Sequence, residues 1–153
     1  MTVAWHYVRS SEDVEILRLL RNAGREWFGD SREISSNDQI TWWAANKDTV
    51  RCLLVGVPPV GYGMISRREG RLWVSLGVDP VARGQGWGRK IYELLGQLAR
   101  LDEELIFAAI RADNVASMTA ATRAGYRVVD DVEPPGIPAE YRSDWIVSCY
   151  PEN

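Results

Sequence analysis

The stretch "VDPVARGQGWGRKIYELL", residues 78–95, decides how this chain is read. It sets Gly84, Gly86 and Gly88 within five positions, between an apolar run and a helix-like repeat. Glycine weakens helices and strands alike, so this density at a junction marks a place where a ligand must approach bare main chain. The free N–H groups and the dipole at a helix start favour an anion, and the missing Cβ atoms leave room for a pyrophosphate. Two common phosphate-binding glycine motifs do not fit. The P-loop ends in Gly-Lys-Ser/Thr, whereas Gly88 is followed by Arg89, Lys90 and Ile91. The G-x-G-x-x-G fingerprint opens a βαβ unit; here the spacing is two and two, and the strands before it are hairpin-linked.

Those strands lie immediately upstream. "TVRCLLVGV", "VGYGMISRR" and "LWVSLGV" are rich in β-formers and are joined by the turn-prone "PP" and the tight "EGR", which predicts three consecutive antiparallel strands. Further back, "TVAWHYVR" reads as a first strand. Ser10 or Ser11 opens a helix through "EDVEILRLLRNAG", and a second helix begins near Ser36 or Asn37 in "ISSNDQITWWAANKD". Downstream, residues 84–101 read as a helix with Trp87, Ile91, Leu94, Leu95, Leu98 and Leu101 on one face and Arg89, Lys90, Glu93 and Gln97 on the other. "LIFAAIRA" is a buried strand, "NVASMTAATRAG" a short helix closed by Gly125, and "YRVVDDV" and "YRSDWIVSCY" two last strands around the loop "EPPGIPAE". The predicted order is strand, two helices, three strands, helix, strand, helix, two strands, with no internal repeat or interdomain linker.

Composition narrows the functions. The 153 residues fit one domain, and 46% hydrophobic content can fill its core. A net charge of -3 and a pI near 5.2 argue against a general nucleic-acid or anionic-membrane binder. Cys52 and Cys149 are the two cysteines, which suits reduced cytoplasmic thiols rather than a disulfide scaffold. With one histidine they cannot build a Cys/His zinc site, so no metal is expected. The N-terminus lacks the look of a signal peptide, and no apolar run is long enough to span a membrane. A soluble cytoplasmic protein is the expectation.

The glycine junction matches the pattern Arg/Gln-x-x-Gly-x-Gly/Ala at Arg83, Gly86 and Gly88 after "VDP". A second block, Asn114-Val-Ala-Ser117 followed by Gly125-Tyr126, matches Asn-x-x-Ala/Ser and Gly-Phe/Tyr. With these motifs, and with the inferred order of elements from Val3 to Tyr150, the sequence resembles the GNAT superfamily of acyl-CoA-dependent N-acyltransferases. The resemblance implies an α/β fold of the α+β type. Its central sheet of about seven strands is mixed and mainly antiparallel, flanked by about four helices in a single domain over 1–153. It also implies an N-acetyltransferase that moves an acetyl group from acetyl-CoA to a primary amine by direct attack. The acceptor expected is a small molecule such as an amino sugar or a nucleotide-linked amine. A protein amine and a non-catalytic acyl-CoA-binding module are the alternatives, and a homodimer is compatible with the reading.

Position by position, the resemblance puts the coenzyme A pyrophosphate on Arg83, Gly84, Gln85, Gly86, Trp87, Gly88 and Arg89. It lays the pantetheine arm along Leu76, Gly77 and Val78, with the Leu76 N–H polarising the thioester carbonyl. Gly77 reads equally as a bulge or as a packing glycine. Asn114 reads as a pantetheine ligand or simply as a helix cap, with Ser117 one turn on. The sequence departs from the family where many members carry a tyrosine that protonates the departing thiolate, for that position is Ala121. It departs again where some carry a glutamate base, for "RLWVSLGV" has no carboxylate. Tyr126, which reads also as a core aromatic, is the substitute carried forward, with Tyr92, Ser75, His6 and Asp113 as others.

On the acceptor side, Arg21-Asn22, Trp27-Phe28, Ile34-Ser35 and Trp42 loosely resemble members acting on small amines. Asp130, Asp131, Glu133, Glu140 and Asp144 could draw an ammonium group or be merely solvated. Trp42 and Trp43 cannot share a helix face, so one of them is free to reach a pocket or a partner surface.

Overall fold

A computed structural model describes residues 3–25 and 31–151. Among these, seven strands and four α-helices follow one another in the predicted order: β1 (Trp5–Tyr7), α1 (Ser11–Ala23), α2 (Ser36–Asn46), β2 (Val50–Val55), β3 (Gly61–Arg68), β4 (Arg71–Val78), α3 (Trp87–Leu101), β5 (Ile106–Arg111), α4 (Val115–Arg123), β6 (Arg127–Val129) and β7 (Trp145–Tyr150). The strands form one sheet in the order β1-β2-β3-β4-β5-β7-β6. Every neighbouring pair is antiparallel except β4 and β5, which run parallel. This is the mixed, mainly antiparallel α/β sheet that the sequence predicts.

Local chemistry explains the element ends. Ser10 Oγ accepts from Asp13 N at 3.1 Å while the Asp13 carboxylate accepts from Ser10 N at 3.3 Å, a reciprocal cap that starts α1. Ser35 Oγ caps α2 through Asp38 N at 3.1 Å. The helix expected from Gly84 begins instead at Trp87. Gly84 and Gly86 take φ values of +78° and +84°, outside the helical region, and so form the turn that precedes the helix.

Alternation along the strands gives the sheet two apolar faces. On one, Leu53, Val55, Ile65, Ile106, Ala108 and Ile110 pack against Ile91, Tyr92, Leu95 and Ala99 of α3 and Ala121 of α4. On the other, Cys52, Leu54 and Tyr62 pack against Val14, Leu17 and Leu20 of α1, with Trp43 of α2 alongside. α3 lies close to the sheet because β3 offers no side chain there. A Cβ on Gly63 would stand 2.9 Å from Leu95 Cδ2, and one on Gly61 would stand 2.8 Å from Ile91 Cδ1. The apolar stripe expected on α3 is shifted at its end: Leu101 is 79% exposed, while Tyr92, Gly96 and Ala99 are buried. Gly96 is buried because the Tyr150 ring fills its place, 2.5 Å from where a Cβ would stand.

The parallel pair is what positions the site. β4 and β5 are in register only at Leu72–Ile106 and Trp73–Phe107; beyond these the strands part. No described helix is long and apolar enough to cross a membrane.

Candidate active site

The parting of β4 and β5 opens directly onto the glycine turn. A groove of about 1060 Å³ runs from that turn into the gap, bordered by Leu76, Gly77 and Val78 on one side and by Ala108, Ala109 and Ile110 on the other. The outer end is made of main chain. α3 is capped by Gly86 without any side-chain hydrogen bond, and its first intrahelical acceptor bond runs from Lys90 N to Gly86 O. The N–H groups of residues 87–89 therefore have no helical acceptor and face the turn. Nothing lies within 4 Å of a Cβ built on Gly84 or Gly86, so the turn is an open cradle rather than a packed corner. Arg83 and Arg89 flank it in sequence, and both line the groove with Arg123.

The inner end exposes strand backbone. Asp79 N donates to Val60 O at 2.7 Å, which makes Val60–Asp79 a hydrogen-bonded pair of the β3–β4 ladder. In an antiparallel ladder such pairs alternate, so Tyr62–Gly77 and Met64–Ser75 are bonded likewise. The N–H and C=O groups of Leu76 and Val78 then point away from β3, into the gap that β5 vacates. Gly77 serves as a packing glycine: a Cβ there would meet Tyr62 Cε1 at 2.7 Å.

A second cavity of about 580 Å³ opens on the α1/α2 side, walled by Arg21, Glu33, Asp38, Gln39, Trp42, Tyr62 and neighbours. Arg21, Trp42, Met64 and Ser75 border both cavities, so the two meet at β4 one residue before Leu76. Asn22 fixes the wall: its side chain donates to Ile34 O at 2.9 Å and accepts from Ile34 N at 2.8 Å. Gln39 and Tyr62 are buried at 4% and 2% exposure. Burial pushes the Tyr62 phenol well above its usual range; the nearby Ser75 side chain offsets part of the rise, yet among the described residues Tyr62 Oη finds no hydrogen-bond partner of good geometry.

The model of the Acetyltransferase (GNAT) family matches residues 15–126. The chain belongs to the GNAT acetyltransferase family. Solved structures agree on the fold. The ribosomal-protein-alanine N-acetyltransferase of Brucella melitensis is 20% identical with a TM-score of 0.75, over 95% of this chain and 98% of that one. AAC(6')-Ib, solved with paromomycin and acetyl-CoA, is 18% identical with a TM-score of 0.75, over 96% and 93%. An N-acetyltransferase from Staphylococcus aureus Mu50 is 15% identical with a TM-score of 0.74, over 98% and 97%. A comparison with the curated proteins gives no match.

Family membership makes this an acetyl-CoA-dependent N-acetyltransferase, and the groove fits that co-substrate. The open cradle suits a pyrophosphate, and the unpaired strand edge suits an amide-bearing arm. Of the residues expected to hold it, Leu76, Val78, Arg83, Gly84, Gly86, Trp87, Gly88, Arg89, Asn114 and Ser117 all line the groove. Gln85 is exposed and its side chain does not. Asn114 Oδ1 accepts from Ser117 N at 3.2 Å, so it is a helix cap, and its Nδ2 donates to no described residue. Arg123 and Tyr92 line the groove too. No motif marks Arg123; Tyr92 is visible in the sequence only as one of several hydroxyls.

The substitute acids and bases sort cleanly. Tyr126 does not reach the groove. It is 2% exposed, its hydroxyl donates to Tyr92 O at 2.9 Å, and burial drives its pKa far up, so it is a core residue rather than a proton donor. His6 is on β1, 3.3 Å from Asp13, and Asp113 pairs with Arg111 at 3.2 Å; neither lines the groove or the α1/α2 cavity. Ser75 and Tyr92 do. Tyr92 Oη lies 2.7 Å from Ser117 Oγ, and burial pushes the phenol up to about 12, with that hydrogen bond opposing. Ala121 is fully buried.

Of the residues expected on the acceptor side, Arg21, Ile34 and Trp42 line the second cavity, while Trp43 packs against the core. Trp27 and Phe28 lie outside the described residues. The five acids of the last loop line neither cavity, and Glu133 pairs with Arg142 at 2.7 Å; the loop contributes Pro135, Gly136 and Ile137 to the groove instead. Their charges are spent on solvent and a surface pair, as runs of acids at loop surfaces commonly are. Among the described residues, no cluster of His, Cys, Asp and Glu could hold a metal.

Proposed function

We propose that this chain transfers the acetyl group of acetyl-CoA directly to the primary amine of a small molecule, such as an amino sugar or a nucleotide-linked amine, with residues 1–153 acting as one domain. The observation that carries the reading is the loss of β4–β5 pairing after Trp73 and Phe107, beside an uncapped helix start flanked by open glycines. The size of the α1/α2 cavity, about 580 Å³, supports a small acceptor, since it falls in the range of small-molecule sites.

In this reading Arg83, Arg89 and the main chain of 84–89 hold the pyrophosphate, and Val78, Asn114 and Ser117 border the pantetheine arm. Bound acetyl-CoA supplies the activated acetyl thioester. The Leu76 N–H donates to the carbonyl oxygen as it gains negative charge, a role worth about 10²- to 10³-fold in rate where one such donor has been removed. The amine approaches from the α1/α2 cavity across Ser75, forms the C–N bond, and loses its extra proton to water in the open groove. Transfer is direct because Cys52 and Cys149 are buried, line neither cavity, and have thiols pushed up by burial.

The test is thiol release from acetyl-CoA over a panel of small amines and peptide N-termini, run beside a thermal shift. The reading expects stabilisation by acetyl-CoA and release with at least one small amine. Release with peptides alone would make the acceptor a protein. Stabilisation with no release on any amine would make the chain a binding module.

A further inference from the structure

The departing thiolate needs a partner, and one pair of side chains in the groove is built to supply it. Tyr92 of α3 and Ser117 of α4 meet across the groove floor with their hydroxyl oxygens 2.7 Å apart. Two hydroxyls carry two hydrogens, and the contact between them uses one. The second has no acceptor among the described residues, because neither side chain makes another hydrogen bond. Either orientation therefore leaves one O–H with nothing to bond except what the groove contains. The Tyr92 ring is held against Tyr126 at 5.1 Å between centroids, and α3 and α4 are rigid neighbours there, so the pair is preorganised rather than floppy.

Resting on the acyl-transfer reading, we propose that Tyr92 and Ser117 together form a hydrogen-bonding seat for the sulfur that leaves, with Tyr92 a catalytic residue that acts without surrendering its proton. The C–N bond forms, the C–S bond breaks, and the bonding pair leaves on sulfur. That charge is met by the spare hydroxyl hydrogen of the pair. The proton lost by nitrogen goes to water, and water returns one to sulfur, so amine plus thioester become amide plus thiol. A phenol held near 12 is a weaker acid than a thiol of about 8.5, which is why the pair donates a hydrogen bond and not the proton itself.

The test needs no acceptor. Affinities of coenzyme A and of desulfo-coenzyme A, in which hydrogen replaces the thiol, are measured by calorimetry at pH 6.5 and 9.5 for wild type, Tyr92→Phe, Ser117→Ala and the double variant. A thiol of pKa about 8.5 is mostly ionised at the higher pH. Wild type is expected to favour coenzyme A over the desulfo analogue by about tenfold to a hundredfold there, the strength of a hydrogen bond to a charged group, and far less at pH 6.5. Each single variant keeps one hydroxyl but loses the neighbour that orients and polarises it, so Tyr92→Phe and Ser117→Ala should each reduce the margin and the double variant should erase it, either single variant sufficing if the others fail to fold. The proposal is overturned if wild type shows no margin, if the variants keep it, or if they weaken both ligands alike, which would make the pair a contact to the arm. Binding of neither ligand to wild type would bring down the coenzyme reading itself.

Discussion

The two cavities that meet at Ser75 are made of different material. The groove proposed for the coenzyme is backbone: the free amides at the start of α3, two glycines with positive φ, and the strand edge that β4 presents where β5 turns away. The α1/α2 cavity is side chain, assembled from Leu17, Arg21, Gln39, Trp42, Tyr62 and Ser75 on four separate elements. Backbone recognition fixes what is common to every coenzyme A thioester and tolerates change in side chains. Side-chain recognition can be rebuilt residue by residue, so it is where one acceptor is told from another.

The largest effect should come from breaking the backbone half. Gly86→Val places a branched side chain in the cradle and should lower acetyl-CoA affinity by about a hundredfold or more, with a strain cost of about 1–2 kcal/mol. Gly70→Val is the control. Gly70 has a φ of +80° and open space around it but lies in the β3–β4 hairpin, so it should share the strain and leave affinity unchanged. Equal affinity losses in both would make the effect one of general strain.

Next in size is an alkaline loss of stability that touches both halves. Burial raises Cys52 on the α1/α2 face and Tyr92 in the groove to about 12 each, from ordinary values of 9.0 and 10.0. A raised pKa means that the folded state prefers the protonated form. Stability is therefore full below pH 9 and falls as the unfolded chain ionises first. By pH 10.5 the loss from these two groups should be about 2–3 kcal/mol, visible as a lower midpoint in urea. Cys52→Ala should shrink the part that begins near pH 9, which Cys149 shares, and leave the later part, which a midpoint series in that variant checks.

Asn22→Ala sharpens the contrast from the other side. It removes both bonds to the Ile34 backbone, worth about 1–2 kcal/mol together, and frees the wall of the acceptor cavity. The acceptor KM should rise about tenfold while acetyl-CoA affinity stays put. A matching loss of coenzyme affinity would mean that the halves are not separate. Smallest is Asn114→Ala, which removes a cap worth about 1 kcal/mol and should weaken coenzyme binding only a few-fold. A loss beyond tenfold would make Asn114 a principal ligand of the arm.

The same difference in material explains what the sequence could disclose. The β3–β4 hairpin is written in "EGR", the turn before α3 in "RGQGWG", and the element order in alternation and caps, all local signals that survived intact. The expected start of α3 falls three residues early because glycines before a helix and within it look alike until φ is known. Tyr126 was misplaced for a reason of register. A hydroxyl beside Gly125 can face the groove or the core, and only packing against Tyr92 and Tyr150 turns it inward. The cavity proposed for the acceptor draws on residues 21–43, where the sequence resemblance looks for one, yet Gln39 and Tyr62 carry no pattern. They matter because α1, α2, β3 and β4 converge, and convergence is not a property of any short stretch. The acids of the last loop are the opposite case, a conspicuous pattern for which packing selects the solvated one of the two readings the sequence leaves open.

The most direct measurement is a crystal structure of the protein with acetyl-CoA. The account predicts the pyrophosphate on the amides of residues 84–89, the arm in the gap after Trp73 and Phe107, and the thioester oxygen within hydrogen-bonding distance of Leu76 N. A coenzyme lodged elsewhere on the chain, with β4 and β5 drawn together and the turn after Pro80 filled by side chains, would contradict it.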